Sequence, residues 1–134
     1  MKQQSGFTLI ELIAVIVILG IIAAVAVPRF VDLSAAAEEA AVEGVAGSLA
    51  SASSLNYAAS VAADAGLANA PTPTNVTDCN EVGPLLEGGL PANYFIPSAA
   101  VGDGATVQCT VGFDDNGAVD ANKPTATFTA YGVQ

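Results

Sequence analysis

The chain has no histidine and no tryptophan, and its only basic residues are Lys2, Arg29 and Lys123. Without histidine it offers neither an imidazole general base nor an imidazole metal ligand. A serine nucleophile would need a lysine partner, and Lys123 lies in a predicted polar turn over 121–124. We therefore predict that the chain is not an enzyme, holds no metal and needs no cofactor.

Basic residues are also too few to balance the acidic ones. The sequence has 13 aspartates and glutamates among its 134 residues, and its formal net charge is −10. A strongly anionic surface repels phosphate backbones and anionic lipid headgroups. We therefore expect no direct nucleic-acid binding.

What the chain does have is a long apolar run over 7–27, in which Glu11 is the only charged residue. A helix of this length is about 30 Å long, which matches the hydrocarbon core of a bilayer. The carboxylate would cost about 2.5–3.5 kcal/mol in that environment. It must lie near an interface, become protonated or find a positive partner.

Positive partners for Glu11 are scarce within the chain. Arg29 lies about 27 Å further along a helix. A cut after Gly6 would free an α-amino group at Phe7, but at the start of one helix the geometry favours the amine of a neighbouring copy. We therefore predict that Glu11 acts in assembly.

Two other interpretations of this segment stay open. An ordinary secretory signal would use Lys2 as its positive region and end with cleavage after Ala26. Thr8 and Glu11 also have the spacing of a capping box, in which Glu11 reaches back to Thr8. Capping is compatible with assembly, because both place Glu11 at a helix N-terminus, where the macrodipole favours negative charge.

The N-terminal segment resembles that of a type IV prepilin. The resemblance is carried by the leader Met1–Gly6, by the string Phe7–Leu12, and by Gly20 and Pro28. Within that family, the segment Leu85–Pro91 resembles the mannose-sensitive haemagglutinin type of pilin.

This resemblance implies specific roles for three residues. A prepilin peptidase would cut after Gly6 and methylate the new amino terminus at Phe7. Glu11 would pair with the methylated amine of the next subunit during assembly.

Gly20 and Pro28 are predicted weak points of the helix. Pro28 has no amide hydrogen, so the carbonyl of Ala24 loses its helical partner. We expect this segment to be helical or kinked in the membrane and to unwind in the filament, as the resemblance implies.

The resemblance further implies a structural protein, most simply a major pilin. It would be an inner-membrane precursor in a bacterium, and the pilus assembly machinery would polymerise identical copies into a surface filament for adhesion or motility. A pseudopilin of a type II secretion system shares this architecture and is an alternative. A second alternative is a membrane-anchored binding module that does not polymerise.

Beyond Pro28 the pattern becomes amphipathic, and a helix is predicted to run to Ala65 with Gly66 as its cap. Its apolar stripe consists of Phe30, Leu33, Ala37, Ala41, Val45, Leu49 and Ala52. A helix from residue 7 to residue 65 is about 90 Å long. A chain this small cannot bury such a rod, so we expect other copies to cover it.

The rest of the chain is predicted to be an irregular connection followed by an antiparallel sheet. A capping box at Asp78–Glu81 predicts one or two helical turns in the connection, with Pro84 near their start. Alternating residues over 105–113 predict a strand, Asn116–Gly117 a tight hairpin, and 125–133 a final strand.

The predicted fold class is therefore α+β, with a long N-terminal helix packed on a small sheet. Four segments are expected: a leader over 1–6, an apolar helix over 7–27, an amphipathic helix over 28–65 and a head over 66–134.

Cys79 and Cys109 are expected to form a disulfide, because an export segment precedes them. Closing this loop would contribute about 3–4 kcal/mol. Two buried free thiols are the alternative.

The sequence offers two further candidate sites in the head. Asn75 begins a glycosylation sequon in a predicted surface loop. Oxygen ligands for calcium are available from Asp114, Asp115, Asn116 and Asp120, although Asn116–Gly117 already accounts for the turn there.

Overall fold

The computed structural model describes residues 6–134, except for the side chains at positions 31 and 32. It contains a helix α1 (Leu9–Asp64), a 3-10 helix (Cys79–Leu85) and three strands, β1 (Tyr94–Phe95), β2 (Thr106–Phe113) and β3 (Thr125–Tyr131). The predicted α+β class is confirmed. The chain divides into two compact units, Met1–Ala37 and Glu38–Gln134; we call the second unit the head.

Helix α1 begins two residues after the predicted start at residue 7 and ends one residue before the predicted end at residue 65. Thr8 caps its first turn, and Gly66 has a φ of 71°, a conformation that glycine adopts without a steric penalty. The helix is continuous through Gly20 and Pro28. Unwinding at these two positions in a filament therefore stays a prediction about the assembled state.

The head is built on an antiparallel sheet of order β1-β2-β3. In its main register Cys109 pairs with Phe128, and Val111 pairs with Ala126. Asn116 and Gly117 both have positive φ values, 54° and 88°, which confirms the predicted tight hairpin turn.

The core of the head lies between this sheet, the 3-10 helix and the second half of α1. Its buried members are Val42, Ala46, Leu49, Val76, Cys79, Val82, Ile96, Val101, Cys109, Val111, Phe128 and Ala130. The predicted apolar stripe in this half of α1 is centred on Ala41, Val45, Leu49 and Ala52, whereas the buried residues are Val42, Ala46, Leu49 and Ser53. At 100° per residue, the centres of these two sets differ by roughly 75° around the helix axis. The exposed small residues on α1 account for the error, because alanine suits a solvated helix face as well as a buried one.

Two details of the connection differ from the prediction. Strand β1 lies in a segment that is predicted to be irregular. Two residues are too few to show an alternating pattern, and the pairing of β1 with β2 depends on contacts distant in sequence. Pro84 lies near the end of the 3-10 helix, not near its start.

The predicted disulfide is confirmed. Cys79 and Cys109 are bonded, with their Cα atoms 5.8 Å apart, and both are buried. The bond ties the 3-10 helix to the central strand β2, so the long connection is held to the sheet at the middle of the core.

Candidate functional site

The start of α1 is organised by a capping box between Thr8 and Glu11. The Thr8 backbone N–H and its hydroxyl both donate to Glu11 Oε2, each at 2.8 Å. The Glu11 backbone N–H donates in return to Thr8 Oγ1 at 3.3 Å. The carboxylate is thus held at a helix N-terminus, where the macrodipole favours negative charge.

This arrangement engages only one of the two carboxylate oxygens. Within residues 6–134, both hydrogen bonds from Thr8 end on Oε2 and none reaches Oε1. A carboxylate can accept several hydrogen bonds. Glu11 can therefore accept an ammonium group on Oε1 without first releasing Thr8.

The surface that follows Glu11 is apolar on all sides. Every large apolar side chain described between Phe7 and Leu33 is exposed, from 47% at Ile13 to 88% at Phe7. Helix α1 includes a window long and apolar enough to cross a membrane, and none of that window is buried inside the chain. We call residues 7–33 the apolar rod.

Lys123 forms its contacts within the head. Lys123 forms an ion pair with Glu38, and its Nζ lies 5.4 Å from the centre of the Phe113 ring. The Phe113 ring in turn stacks on Tyr94, with centroids 4.9 Å apart. Lys123 therefore has an ion-pair partner, Glu38, and an aromatic neighbour, Phe113, within the head.

The cleavage positions lie at the edge of the described chain. Gly6 and Phe7 are both exposed and precede the helix. The rest of the predicted leader, residues 1–5, lies outside the described residues. Cleavage after Gly6 and methylation of Phe7 stay predictions.

In the acidic hairpin of the head, carboxylate oxygens accept hydrogen bonds from backbone N–H groups nearby in sequence. Asp114 Oδ1 accepts from the Gly117 N–H at 3.0 Å, and Asp120 Oδ1 accepts from the Asn122 N–H at 2.8 Å. Among the described residues, no group of three or more potential metal-binding side chains converges here or elsewhere. The calcium alternative receives no support from this geometry.

A second capping box lies in the connection, as predicted. The backbone N–H and hydroxyl of Thr77 donate to Glu81, and these bonds lower the pKa of its carboxyl below the ordinary value. The Ser98 hydroxyl donates to Asp78, which likewise lowers the pKa of that carboxyl. Both carboxylates are thus held in their charged form, and they fix the entry to the 3-10 helix.

Two polar residues of α1 make contacts that the sequence does not predict. The buried Ser53 accepts the Tyr131 N–H at 2.9 Å, and Asn56 both donates to the Thr74 carbonyl and accepts its N–H. They fasten α1 to β3 and to the connection. In the sequence, each of them is a polar residue on an otherwise apolar helix face. Spacing alone does not distinguish such a buried polar residue from an exposed polar residue.

Comparison with known proteins supports the resemblance of the N-terminal segment. The model of the prokaryotic N-terminal methylation motif matches residues 1–27. The type IV narrow pilus major component PilA5 of Thermus thermophilus is 56% identical over 50 residues, which cover 37% of this chain and 43% of that protein. The type II secretion system core protein G of Pseudomonas aeruginosa is 68% identical over 28 residues, covering 21% of this chain and 20% of that protein.

One relative extends the similarity into the head. Fimbrial protein Q of Moraxella bovis is 34% identical over 123 residues, which cover 84% of this chain and 71% of that protein. The first relative, PilA5, is matched over less than half of its length. No solved structure matches the chain significantly. The match to fimbrial protein Q spans both the apolar rod and the head, and the chain belongs to the type IV pilin family.

Proposed function

We propose that this chain is the major subunit of a type IV pilus, a homopolymeric filament on the surface of a bacterium. The observation that carries the proposal is the apolar rod, which begins with a capped carboxylate and is exposed on every side. Such a surface is stable in a membrane or inside a bundle of similar helices, and not in water. A contact that repeats head to tail without closing produces an open helical polymer.

The proposed maturation begins in the inner membrane. The prepilin peptidase cuts after Gly6, removing the leader over 1–6, and the new amino terminus at Phe7 becomes methylated. Residues 7–27 then anchor the subunit in the bilayer, while the amphipathic half over 28–65 and the head stay outside it. The pilus assembly machinery extracts the subunit from the membrane into the growing fibre.

Glu11 directs the docking step in this proposal. Its Oε1 accepts the N-terminal ammonium of a neighbouring subunit, while Oε2 keeps its bonds to Thr8. Methylation leaves the amine charged, so the attraction persists. Pairing in the apolar fibre core removes the cost of an isolated buried charge, since charges in such surroundings need a partner.

The segment from Gly20 to Pro28 is the proposed point of adjustment during assembly. Pro28 already lacks one helical hydrogen bond, and Gly20 has a low helix propensity. Local unwinding there would lengthen the subunit without disturbing the head. Uniform hydrogen-exchange protection from Ile16 to Phe30 in assembled fibres would overturn this part of the proposal.

A second candidate is a pseudopilin of a type II secretion system. The similarity to core protein G of Pseudomonas aeruginosa favours it, although that match covers 28 residues at the shared N-terminal segment. The longer match is to a fimbrial protein, and it includes the head. A membrane-anchored module that does not polymerise would use Glu11 only as a helix cap and would leave the methylation motif without a purpose.

Electron microscopy of surface fibres, with identification of their protein and its N-terminus by mass spectrometry, tests the proposal. We expect long fibres made of this chain, beginning with N-methylated Phe7. Cells that express the chain and its machinery without bearing such fibres would favour the pseudopilin. A chain that keeps Met1 or begins at Val27 would overturn the proposed maturation.

A further inference from the structure

An open groove runs along the exposed side of α1 in the head. It has a volume of about 820 Å³ and extends into a second, smaller depression that shares Gly44, Ser48, Leu86 and Glu87 with it. Together they follow α1 from Ala41 to Ala59, about 27 Å at helical rise. We call this feature the head groove.

The head groove has a small-residue floor and larger walls. Its floor on α1 includes Gly44, Gly47, Ser48, Ser51 and Ala52. One wall is formed by Leu85 and Leu86 of the connection, and Leu55 on α1 is 70% exposed within it. Small residues let another backbone approach closely, and the leucines supply apolar contact, so the shape suits a helix with protruding apolar side chains.

The apolar rod ends in a segment with matching properties. Phe30 and Leu33 are 70% and 66% exposed. With Arg29 they fall within an arc of about 100° at helical spacing. One helix face therefore carries two large apolar side chains with a cation at its edge.

Charge distinguishes this segment from the rest of the chain. Arg29 and Lys123 are the only basic residues after Lys2, and Lys123 is paired with Glu38. The head groove has an exposed carboxylate at its edge, Glu87, beside Gly44 and Ser48. Arg29, the one basic side chain of the apolar rod, thus matches an anionic edge of the groove.

We propose that the head groove receives the end of the apolar rod of another copy of this chain, with Arg29 of that copy opposite Glu87. In a head-to-tail fibre the two helices run in the same direction. With Arg29 level with Gly44 and Ser48, Phe30 and Leu33 of the other copy lie over the small residues that follow. This contact rests on the proposed function, and it defines the stagger between two subunits.

Cysteine cross-linking in fibres tests the contact directly. We expect Leu33→Cys combined with Ser51→Cys to give about fivefold more cross-linked dimers and multimers on mild oxidation than Leu33→Cys combined with Ser54→Cys, since a disulfide requires Cβ atoms about 3.5–4.5 Å apart. Ser54 is the matched control, because it is exposed on α1 but does not line the head groove. Equal cross-linking of the two pairs in intact fibres would overturn the proposal.

Charge exchange provides a second test, which does not depend on introduced cysteines. Arg29→Glu and Glu87→Lys should each lower the ratio of fibre to membrane-inserted chain by about fivefold, because each places like charges together at a repeated contact. Combining them should restore most of that ratio. A double variant no better than the worse single variant would contradict the proposed pairing. Failure of the unmodified chain to form fibres would instead overturn the proposed function.

Discussion

The apolar rod exposes its large apolar side chains, whereas the head buries those of its core. In the head, Leu49 is fully buried, whereas Leu33 on the same helix is 66% exposed. The head has its own core, a sheet and a disulfide, while the rod has apolar residues all round and none of its membrane-length window buried. The head is therefore a folding unit, whereas the rod requires surroundings that one copy does not supply.

The largest expected effect of a single change falls on assembly. Glu11→Ala should abolish fibres, or lower their amount by at least about tenfold, because an uncompensated terminal charge would enter the apolar core. The variant should still be inserted in the membrane and cleaved. Quantitative blotting of sheared fibres against membrane fractions measures both, with Glu39→Ala as the control at an exposed glutamate of α1. Normal fibres from Glu11→Ala would contradict the docking role.

Loss of the disulfide should produce the largest change in the head. Replacing Cys79 and Cys109 together by alanine should lower the free energy of unfolding by about 3–4 kcal/mol through lost loop closure. Denaturant unfolding of the full chain in detergent, followed by a signal from the head, measures this. Adding a reductant to the unmodified chain should give a similar loss, and an unchanged transition midpoint would contradict the expectation.

A matched pair of leucines tests the contrast between the two regions most simply. Leu49→Ala should lower the stability of the head by about 2–5 kcal/mol, because it leaves a cavity in a packed core. Leu33→Ala should leave that transition unchanged within about 0.5 kcal/mol, because exposed positions contribute little. Both are read from the same unfolding experiment. Equal losses would contradict the contrast, because Leu33 would then be packed as tightly as Leu49.

The smallest expected effect concerns pH and the second capping box. The pKa values of Asp78 and Glu81 are lowered by hydrogen bonds to their charged forms. Their contribution to stability should therefore be present above the ordinary carboxyl pKa of about 4 and be lost as pH falls through the lowered values. Glu81→Ala should lower the melting temperature of the head modestly at pH 7 and make no difference at the acidic limit. A difference that grew on acidification would contradict this assignment, and Glu39→Ala serves as the control.

The local signals in the sequence predicted the structure well where a few neighbouring residues decide the conformation. The Thr8–Glu11 cap, the Gly66 end of α1 and the Asn116–Gly117 turn are confirmed, because each depends on backbone preferences over three or four positions. Strand β1 and the exact buried face of α1 depend on which distant segments pack together. Short strands and alanine-rich helices contain little information about such packing.

The proposed assembly residue could be named from the sequence, but its hydrogen-bond geometry could not. The lone charge in an apolar run pointed to Glu11, and the comparisons place the chain in the type IV pilin family. Only the three-dimensional structure shows that Thr8 binds one oxygen of Glu11 and that α1 borders a groove in the head. Serines and glycines on the floor of that groove have no distinctive spacing among the many small residues of α1.

Labelling of a single cysteine on the apolar rod tests the central contrast most directly. An Ile13→Cys variant should react with a soluble maleimide when the mature chain is in mild detergent and be protected in intact fibres. Thr106→Cys, an exposed position on β2, provides a reference for labelling of the head. Protection at Ile13 that is lost when fibres are dissociated is the expected result. Equal labelling at Ile13 in fibres and in detergent would contradict the account, because the rod would then stay uncovered after assembly.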